Sequence, residues 1–425
     1  MSLNGELSKC WRYVQLDEVV EINPKAPVSK SISPDLEVSF VPMGAVSEAG
    51  FIEDAQVRKY SEVCKGYTSF QENDVLFAKI TPCMENGKRA IARNLVNGIG
   101  FGSTEFHILR PKKEVLPEYI YHFISRKAFR KEAERNMTGS VGQKRVPTSF
   151  LKSVKIPLPP LHIQKEIVQV LDEADALIQK RKQAIAKLDE LVQSVFLEMF
   201  GDPVSNPKAW KLEKLKKLGT LGRGVSKHRP RNDPKLLGGK YPLVQTGDVA
   251  RSGIYLYEYN QTYSELGLRQ SKMWPKGTLC ITIAANIADA SILTFDACFP
   301  DSVVGFIPER ELTNCEYIYC WISHLKRYIE EKAPQVAQKN INLTILSDLD
   351  VPVPPINLQN QFAMIVSQIE SQKHHMQQQL AKLEENFNSL LQRAFKGELQ
   401  FRQVGEWDAP QRGFSEAVSP VEVRS

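Results

Sequence analysis

Residues 155–171 read KIPLPPLHIQKEIVQVL, and residues 350–366 read DVPVPPINLQNQFAMIV. Each stretch contains the pattern P-x-P-P, a glutamine four residues after the last proline (Gln164 and Gln359), and a long run of mixed polar and apolar residues. Proline disfavours helix at the residue before it, so the pattern predicts an extended connector that ends where a helix begins. The sequence therefore predicts the same joint, an extended connector followed by a helix, at two places in the chain.

Other repeated strings show that the joints belong to a larger duplication. Trp11 opens WRYVQLDEVV and Trp210 opens WKLEKLKKLG, while EYIY occurs at 118–121 and again at 316–319. Gln-Lys at 143–144 recurs at 338–339. A period near two hundred residues is far too long for a solenoid. Each half is predicted to contain a mixed α/β segment followed by a long helix.

The composition excludes several classes of protein. Hydrophobic residues make up 42% of the 425 residues and charged residues 24%, which is typical of a soluble globular protein. No apolar run is long enough to span a membrane and no secretory signal is visible, so we expect a cytoplasmic protein. Seven cysteines without a C-x-x-C motif argue against a disulfide framework or a zinc site. A net charge of +6 permits a polyanionic partner without requiring one.

The α/β segments are predicted to be rich in strands. Clusters of β-forming residues between Gly, Pro and Asn predict strands at 74–80, 100–110, 278–283 and 302–308. A helix is expected after these strands in each half, over 117–135 with a basic outer face and over 315–332. Short extended connectors are predicted over 151–160 and 346–355.

Beyond the connectors, apolar residues recur at alternating steps of three and four. Nine of ten positions in each seam are apolar: Ile167, Leu171, Ala174, Ile178, Arg181, Ile185, Leu188, Val192, Val195 and Met199, and Phe362, Val366, Ile369, Lys373, Met376, Leu380, Leu383, Phe387, Leu390 and Ala394. Such heptad repeats favour coiled-coil pairing, with one cation in each seam to set the register. If the pairing is antiparallel, helices of roughly 50 Å would place the two modules at opposite ends. The alternative is that each helix packs only on its own module.

These features predict an α+β fold with two α/β domains, two long helices paired as an antiparallel coiled coil, and a pseudo-twofold internal duplication. The expected boundaries are 1–154 and 202–349 for the two domains, 155–201 and 350–400 for the helices, and 401–425 for a polar tail.

Both halves contain side chains suited to reading DNA, because Asn suits adenine, and Arg and Lys suit guanine and phosphates. A hairpin tip is predicted within Phe77–Arg93, and a second basic cluster lies in Leu221–Arg231. The candidate DNA contacts are Lys79, Thr81, Asn86, Lys88, Arg89, Lys144, Arg223, Lys227, Arg229, Arg231, Thr282, Asn286 and Lys339. The alternative for either cluster is a solvated surface loop.

Motifs for catalysis are missing from the sequence. It contains no Walker phosphate loop, no G-x-G-x-x-G after a strand and no H-E-x-x-H. The leading interpretation is therefore a non-catalytic DNA-binding protein. Two others stay open, a coiled-coil scaffold or adaptor whose modules bind proteins, and a single-chain DNA methyltransferase.

Over nearly its whole length the chain resembles the specificity (S) subunits of type I restriction-modification enzymes. The resemblance rests on the duplication and on four strings: DVLFAKITPCMENGK (74–88), GSVGQKRVP (139–147), IPLPPLHIQKEI (156–167) and VPVPPINLQNQF (351–362). It implies that each α/β domain is a target-recognition domain for one half of a bipartite, asymmetric site in double-stranded DNA. Members commonly have a glutamate before the glutamine, whereas Ile163 and Leu358 stand here, so no subunit contact is assigned to a carboxylate there.

The resemblance also implies partners. Two methyltransferase (M) subunits that methylate adenine with S-adenosylmethionine would dock on the helices, and restriction (R) subunits that use ATP and Mg would join where present. No cofactor is expected on this chain. The residues expected to form the docking and spacer helices are Gln164, Leu171, Ile178, Ile185, Gln359, Val366, Met376 and Leu383.

Overall fold

The computed structural model describes residues 11–25, 32–140, 142–283, 289–332 and 342–399. The chain forms two compact units, one made of residues 1–178 and 382–425 and the other of residues 179–381. Each unit contains one globular module, called here the first module (11–160) and the second module (210–355), together with a segment of each long helix. This division differs from the linear order expected from the sequence, because each helix is shared between the units.

The first module is mainly built of strands. Its described strands are β1 (Arg12–Gln15), β2 (Val20–Ile22), β3 (Glu37–Val41), β4 (Gln56–Lys59), β5 (Thr68–Gln71), β6 (Val75–Ala78), β7 (Arg89–Ile91), β8 (Ile99–Gly102), β9 (Phe106–Pro111) and β10 (Lys155–Leu158). Its helices are α1 (Leu16–Val19), α2 (Tyr60–Val63), α3 (Pro117–Ser125), α4 (Lys127–Arg135) and α5 (Thr148–Ser153), and the long helix α6 (Leu161–Phe200) follows. The strands form sheets in the orders β2-β9-β6-β7 and β4-β3-β8-β5, and β1 pairs with β10.

The second module repeats this plan. Its described strands are β11 (Lys211–Lys214), β12 (Gly219–Arg223), β13 (Leu237–Leu243), β14 (Tyr255–Leu256), β15 (Gln261–Tyr263), β16 (Met273–Trp274), β17 (Leu279–Thr282), β18 (Ala290–Leu293), β19 (Ala297–Cys298), β20 (Val303–Pro308) and β21 (Asp350–Val353). Its helices are α7 (Thr246–Arg251), α8 (Glu265–Arg269), α9 (Cys315–Lys332) and α10 (Leu343–Ser347), and the long helix α11 (Ile356–Phe395) follows. The sheets run β12-β20-β17-β18-β14 and β15-β13-β19-β16, and β11 pairs with β21.

Two predicted elements of the first module are divided in the structure. The strand expected over 100–110 is β8 and β9, because the Ser103 hydroxyl accepts a bond from the backbone N–H of Glu105 and turns the chain. The helix expected over 117–135 breaks at Arg126, whose backbone is not helical. The Arg126 guanidinium lies 4.0 Å from the centre of the Phe123 ring and donates to the Phe123 carbonyl, which holds the chain at the break.

In the first unit the beginning of α6 packs against the end of α11. Ile167 and Leu171 of α6 share a buried core with Leu391 and Phe395 of α11. The Phe395 ring also lies 4.9 Å from Tyr119 of α3, centre to centre. The two helix segments therefore run antiparallel and carry the first module on their surface.

In the second unit the end of α6 packs against the beginning of α11. Phe196 of α6 lies 5.6 Å from Phe362 of α11 and 5.6 Å from Tyr317 of α9, measured between ring centres. The antiparallel coiled coil and the duplication are confirmed, and each helix serves both modules rather than packing only on its own. Among the described helices, none is long and apolar enough to cross a membrane.

Candidate nucleic-acid interface

The topology of the first module brings two separate candidate clusters to one edge of a sheet. Strand β6 ends at Ala78, the predicted hairpin tip follows over 79–88, and β7 returns beside β6. Thr138 and Arg145 lie against this tip, because Arg145 forms backbone bridges with both Ile80 and Thr138. The Thr81 N–H and hydroxyl both donate to the carbonyl of Lys144, at 3.0 and 3.3 Å. We call this the tip edge of the first module.

An ion pair and a buried histidine hold the tip edge together. The Arg145 guanidinium donates two parallel bonds to the Glu105 carboxylate, at 2.8 and 2.9 Å, and these bonds lower the pKa of that carboxyl. His107 is 3% exposed and donates from Nε2 to the Val146 carbonyl at 2.8 Å. Burial lowers the pKa of His107, which keeps the ring neutral and in this bonding arrangement.

Several candidate DNA contacts already have partners within the protein. Lys88 donates to the Met43 carbonyl at 3.3 Å, and Asn86 donates to the Glu48 carboxylate at 2.7 Å. Arg89 is half-buried, lies 4.5 Å from the centre of the Tyr121 ring, and donates to the Gly87 carbonyl. The structure therefore gives Arg89 a packing role, and a contact with a base would require it to leave the ring.

Other cations at this edge have no such partner. Lys144 is exposed and Lys79 is half-buried, and neither forms an ion pair within the described parts of the chain. Lys144 also lines a cleft of about 370 Å³ together with Lys131 and Arg135 of α4, and Glu85 and Glu134 line the same cleft. Lys131 and Arg135 are absent from the predicted contacts, although their spacing along α4 signalled them: Lys127, Lys131 and Arg135 recur every four residues on the face opposite the buried Phe129.

The second module has an equivalent edge, also formed by two sequence clusters. Arg223 at the end of β12 and Ile281 near the end of β17 both lie opposite Val304 of the intervening β20. The basic cluster within Leu221–Arg231 and the end of β17 therefore lie at one edge of the sheet. This is the tip edge of the second module.

One aspartate, Asp301, binds the arginines at this edge. The Arg231 and Arg229 guanidiniums both reach Asp301, the second with a separation of 3.5 Å between Nη2 and Oδ2. Arg223 donates to the Asp301 carbonyl at 2.9 Å. Three arginines thus share one aspartate, which leaves a local excess of positive charge.

The loop that presents Lys227 is held in shape by two side chains. Gln270 accepts the backbone N–H groups of Lys227 and His228, at 2.7 and 3.1 Å. Asp233 accepts a backbone bond from Lys235, the main cause of its lowered pKa, and lies 3.1 Å from the His228 ring nitrogen. The exposed Lys227 side chain forms no ion pair with any described residue.

The remaining DNA candidates of the second module differ in their surroundings. Thr282 is 3% exposed, and its hydroxyl accepts the backbone N–H of Asp289 at 3.1 Å. This places Thr282 in the interior, where it organises the base of the tip and has no surface for a ligand. Asn286 and Lys339 lie outside the described residues.

Two of the residues expected to form the docking and spacer helices lie inside their own modules. Gln164 and Gln359 are both 0% exposed and bond only to their own modules, so neither belongs to a subunit-docking surface. Of the other expected helix residues, Leu171, Ile178 and Val366 are buried in the cores of their units. Ile185, Met376 and Leu383 are half-buried.

In the described parts of the chain, no group of three or more His, Cys, Asp or Glu side chains is placed to hold a metal ion. The edges offer cations, amides and preformed loops. Such groups can bind phosphates and base edges.

Comparison with known proteins points the same way. The family model for the type I restriction modification DNA specificity domain matches twice, over residues 8–189 and 207–385. The EcoAI specificity subunit of Escherichia coli is 38% identical over 196 residues, which are 45% of this chain and 33% of that protein. The chain thus matches only about a third of the length of that relative.

Two further similarities span nearly the whole chain. The putative type I restriction enzyme MjaX specificity subunit of Methanocaldococcus jannaschii is 22% identical over 411 residues, or 91% of this chain and 94% of that protein. The solved S subunit of the type I restriction-modification system of M. genitalium matches 93% of this chain and 98% of its own, with a TM-score of 0.54 and 15% identity. The structural similarity shows a common fold.

Proposed function

The chain belongs to the family defined by the type I restriction-modification DNA specificity domain, and from this premise we propose that it is the DNA-reading subunit of a type I restriction-modification complex. Each module reads one half of a bipartite, asymmetric site in double-stranded DNA. The paired helices set the spacing between the two halves.

The observation that carries this proposal is the equivalence of the two tip edges. Both lie at corresponding ends of corresponding sheets, β2-β9-β6-β7 and β12-β20-β17-β18-β14. Each edge presents cations on a rigid frame, Lys79 and Lys144 in the first module and Lys227 with three arginines in the second. The described side chains around these cations differ between the two edges, which is what two readers of different half-sites require.

The surroundings of the cations divide them between two tasks. Lys131, Arg135 and Lys144 are exposed and without ion pairs among the described residues, so they suit phosphates. Arg229 and Arg231 are both paired with Asp301, and a guanidinium at this position suits the paired acceptors of guanine. Asn86 at the tip of the first module suits adenine once DNA displaces Glu48.

Membership of this family also supports a proposal about the partners. Two methyltransferase subunits dock on the helix pair and methylate adenine with S-adenosylmethionine, and restriction subunits that use ATP and Mg²⁺ join the complex where the host makes them. This chain positions those subunits on DNA in the cytoplasm and performs no chemistry itself.

The test is selection of DNA from a random library by the full chain, purified with the methyltransferase subunits of its host, followed by footprinting. We expect two protected patches of different sequence that flank an unread spacer. Protein capture without any DNA preference would favour the scaffold alternative. Methyl transfer by the chain alone from labelled S-adenosylmethionine would favour the single-chain methyltransferase.

A further inference from the structure

Each module is tied to the start of its long helix by a buried glutamine that has all of its main hydrogen bonds satisfied. We propose that Gln164 and Gln359 are positioning residues that fix the angle of each module on its helix and so limit the complex to one spacer length. This inference rests on the proposed function, since it concerns how that DNA-reading unit measures distance.

In the first joint, Gln164 of α6 connects three segments. Its amide nitrogen donates to the carbonyls of Pro159 and Glu114, both at 2.9 Å. Its amide oxygen accepts the backbone N–H of Leu116 at 3.0 Å. The connector, the first turn of α6 and the approach to α3 are therefore joined through one side chain.

In the second joint, Gln359 of α11 makes the same connections. Its amide nitrogen donates to the carbonyls of Pro354 and Leu312, at 2.8 and 3.1 Å. Its amide oxygen accepts a bond from the Thr313 hydroxyl at 2.9 Å. The two joints have different neighbouring residues but the same pattern of hydrogen bonds around the glutamine. This indicates that the duplication retains the pattern.

A tyrosine adds a second tie to each joint. The Tyr119 hydroxyl donates to the Pro157 carbonyl at 2.8 Å, and the Tyr317 hydroxyl donates to the Pro352 carbonyl at 2.5 Å. Burial raises the pKa of both phenols, so both stay protonated and able to donate. These tyrosines are the first ones of the two EYIY strings, and the prolines open the two P-x-P-P strings.

The connector strands complete the attachment. Strand β10 pairs with β1 over Arg12–Gln15, and β21 pairs with β11 over Lys211–Lys214. With its backbone paired on one side and its carbonyls bound by Gln and Tyr, neither connector has the freedom of a linker. A buried amide that loses its partners costs more than the bonds contribute, so rotation of the module about this joint is strongly resisted.

The test uses the second joint in the full chain with its methyltransferase subunits. Q359M keeps the size of the side chain and removes all three bonds. We expect it to retain the bases selected in both half-sites, while discrimination between neighbouring spacer lengths falls by about threefold to tenfold, the range expected for a well-made buried hydrogen bond. Y317F removes one bond and should produce a smaller change in the same direction.

The matched control is T278V, which removes a buried hydroxyl bond to the Pro275 carbonyl elsewhere in the second module. It should lower stability and leave the spacer preference unchanged. If Q359M and T278V lower stability equally and both keep the spacer preference of the unmodified chain, the glutamine is only structural and the inference fails. Failure of the unmodified chain to select any half-site would instead refute the proposed function.

Discussion

Neighbouring residues at the first tip edge have opposite surroundings. Arg145 is bound to Glu105 through two bonds, whereas Lys144 beside it is exposed and without an ion pair among the described residues. Both are cations in one short string, GSVGQKRVP, and composition cannot separate them. Which of the two cations forms an ion pair depends on the position of Glu105. This residue lies some forty residues away in sequence, and only the pairing of strands brings it close.

The first prediction separates these two cations. K144Q should weaken binding to specific and nonspecific DNA alike and reduce the slope of log affinity against log salt by about one, because one phosphate contact is lost. K155Q on the connector strand removes the same charge away from the edge and should leave the slope unchanged. R145Q should instead lower the free energy of unfolding without changing the salt slope, since Glu105 loses its partner. A salt slope unchanged in K144Q would exclude Lys144 from the DNA surface.

The second prediction concerns Asp301, the aspartate that binds three arginines. D301N removes the charge that restrains Arg229 and Arg231, so affinity for nonspecific DNA should rise and the ratio of specific to nonspecific affinity should fall. Binding titrations on a cognate and a scrambled duplex measure both quantities. E311Q changes the net charge of the same module equally and should alter neither. Lower affinity of D301N for all DNA would mean that Asp301 supports the fold of the loop rather than its selectivity.

At the scale of elements, the seam cation Lys373 binds across the helix pair of the second unit. Its ammonium reaches Asp189 of α6 and lies 3.5 Å from Glu370 of its own helix. The Lys373 and Glu370 side chains are 10% and 6% exposed, whereas Asp189 is 56% exposed. Burial raises the pKa of Glu370, even though Lys373 opposes the rise. Asp189 is therefore the favourable partner, and Glu370 is the costly one.

The third prediction follows from that difference. K373M should lower the free energy of unfolding at neutral pH by about 1–3 kcal/mol, because Glu370 is left buried without a cation, and adding E370Q should recover much of the loss. The folded pKa of Glu370 lies above its ordinary value of 4.5, so the stability it contributes is full below that pH and is lost as pH rises through the folded pKa. The free energy of unfolding of the unmodified chain should therefore fall, relative to that of the E370Q variant, as pH rises from 4.5 through the folded pKa of Glu370. Chemical denaturation of the unmodified chain and of the E370Q variant at several pH values measures this difference. A constant difference in stability between the two over the whole pH range would contradict the prediction.

At the scale of the molecule, each unit contains a segment of both long helices. The boundary between units falls between residues 178 and 179 in α6 and between 381 and 382 in α11. A change in helix length at one boundary alone would disturb the pairing of the seams. A matched change at both would leave each unit intact.

The fourth prediction uses this boundary. Inserting one heptad at both positions adds about 10.5 Å to the helix pair and should lengthen the selected spacer by about three base pairs, with the half-sites unchanged. DNA selection with the full complex measures the spacer. A heptad inserted at only one position is the control, and it should lower stability without producing a defined new spacer. If the matched insertion keeps the original spacer, the helices do not set the distance.

The sequence was sufficient to predict the duplication, the heptad seams and the place of the joints, because these depend on periodicity and repeated strings. The predicted connectors began too early, since residues 151–153 belong to α5 and residues 346–347 belong to α10. It was not sufficient to assign Gln164, whose burial follows from the approach of residues 114–116 to the helix. The surroundings of Arg89 and Thr282 could not be predicted for the same reason, since a polar side chain near a tip can face either the solvent or the core. Long-range packing decides which way such a side chain faces, and the local sequence carries no information about that packing.

The division into units also dictates an order of events during synthesis. The second unit is one continuous stretch, whereas the core around Tyr119 and Phe123 in the first unit is closed by Phe395 from the far end of the chain. At ribosomal rates of about 5–20 residues per second, that apolar surface stays open for many seconds after its own module has emerged. The nascent first module must therefore wait for the last turns of α11, and chaperones have most to protect in the half that is made first.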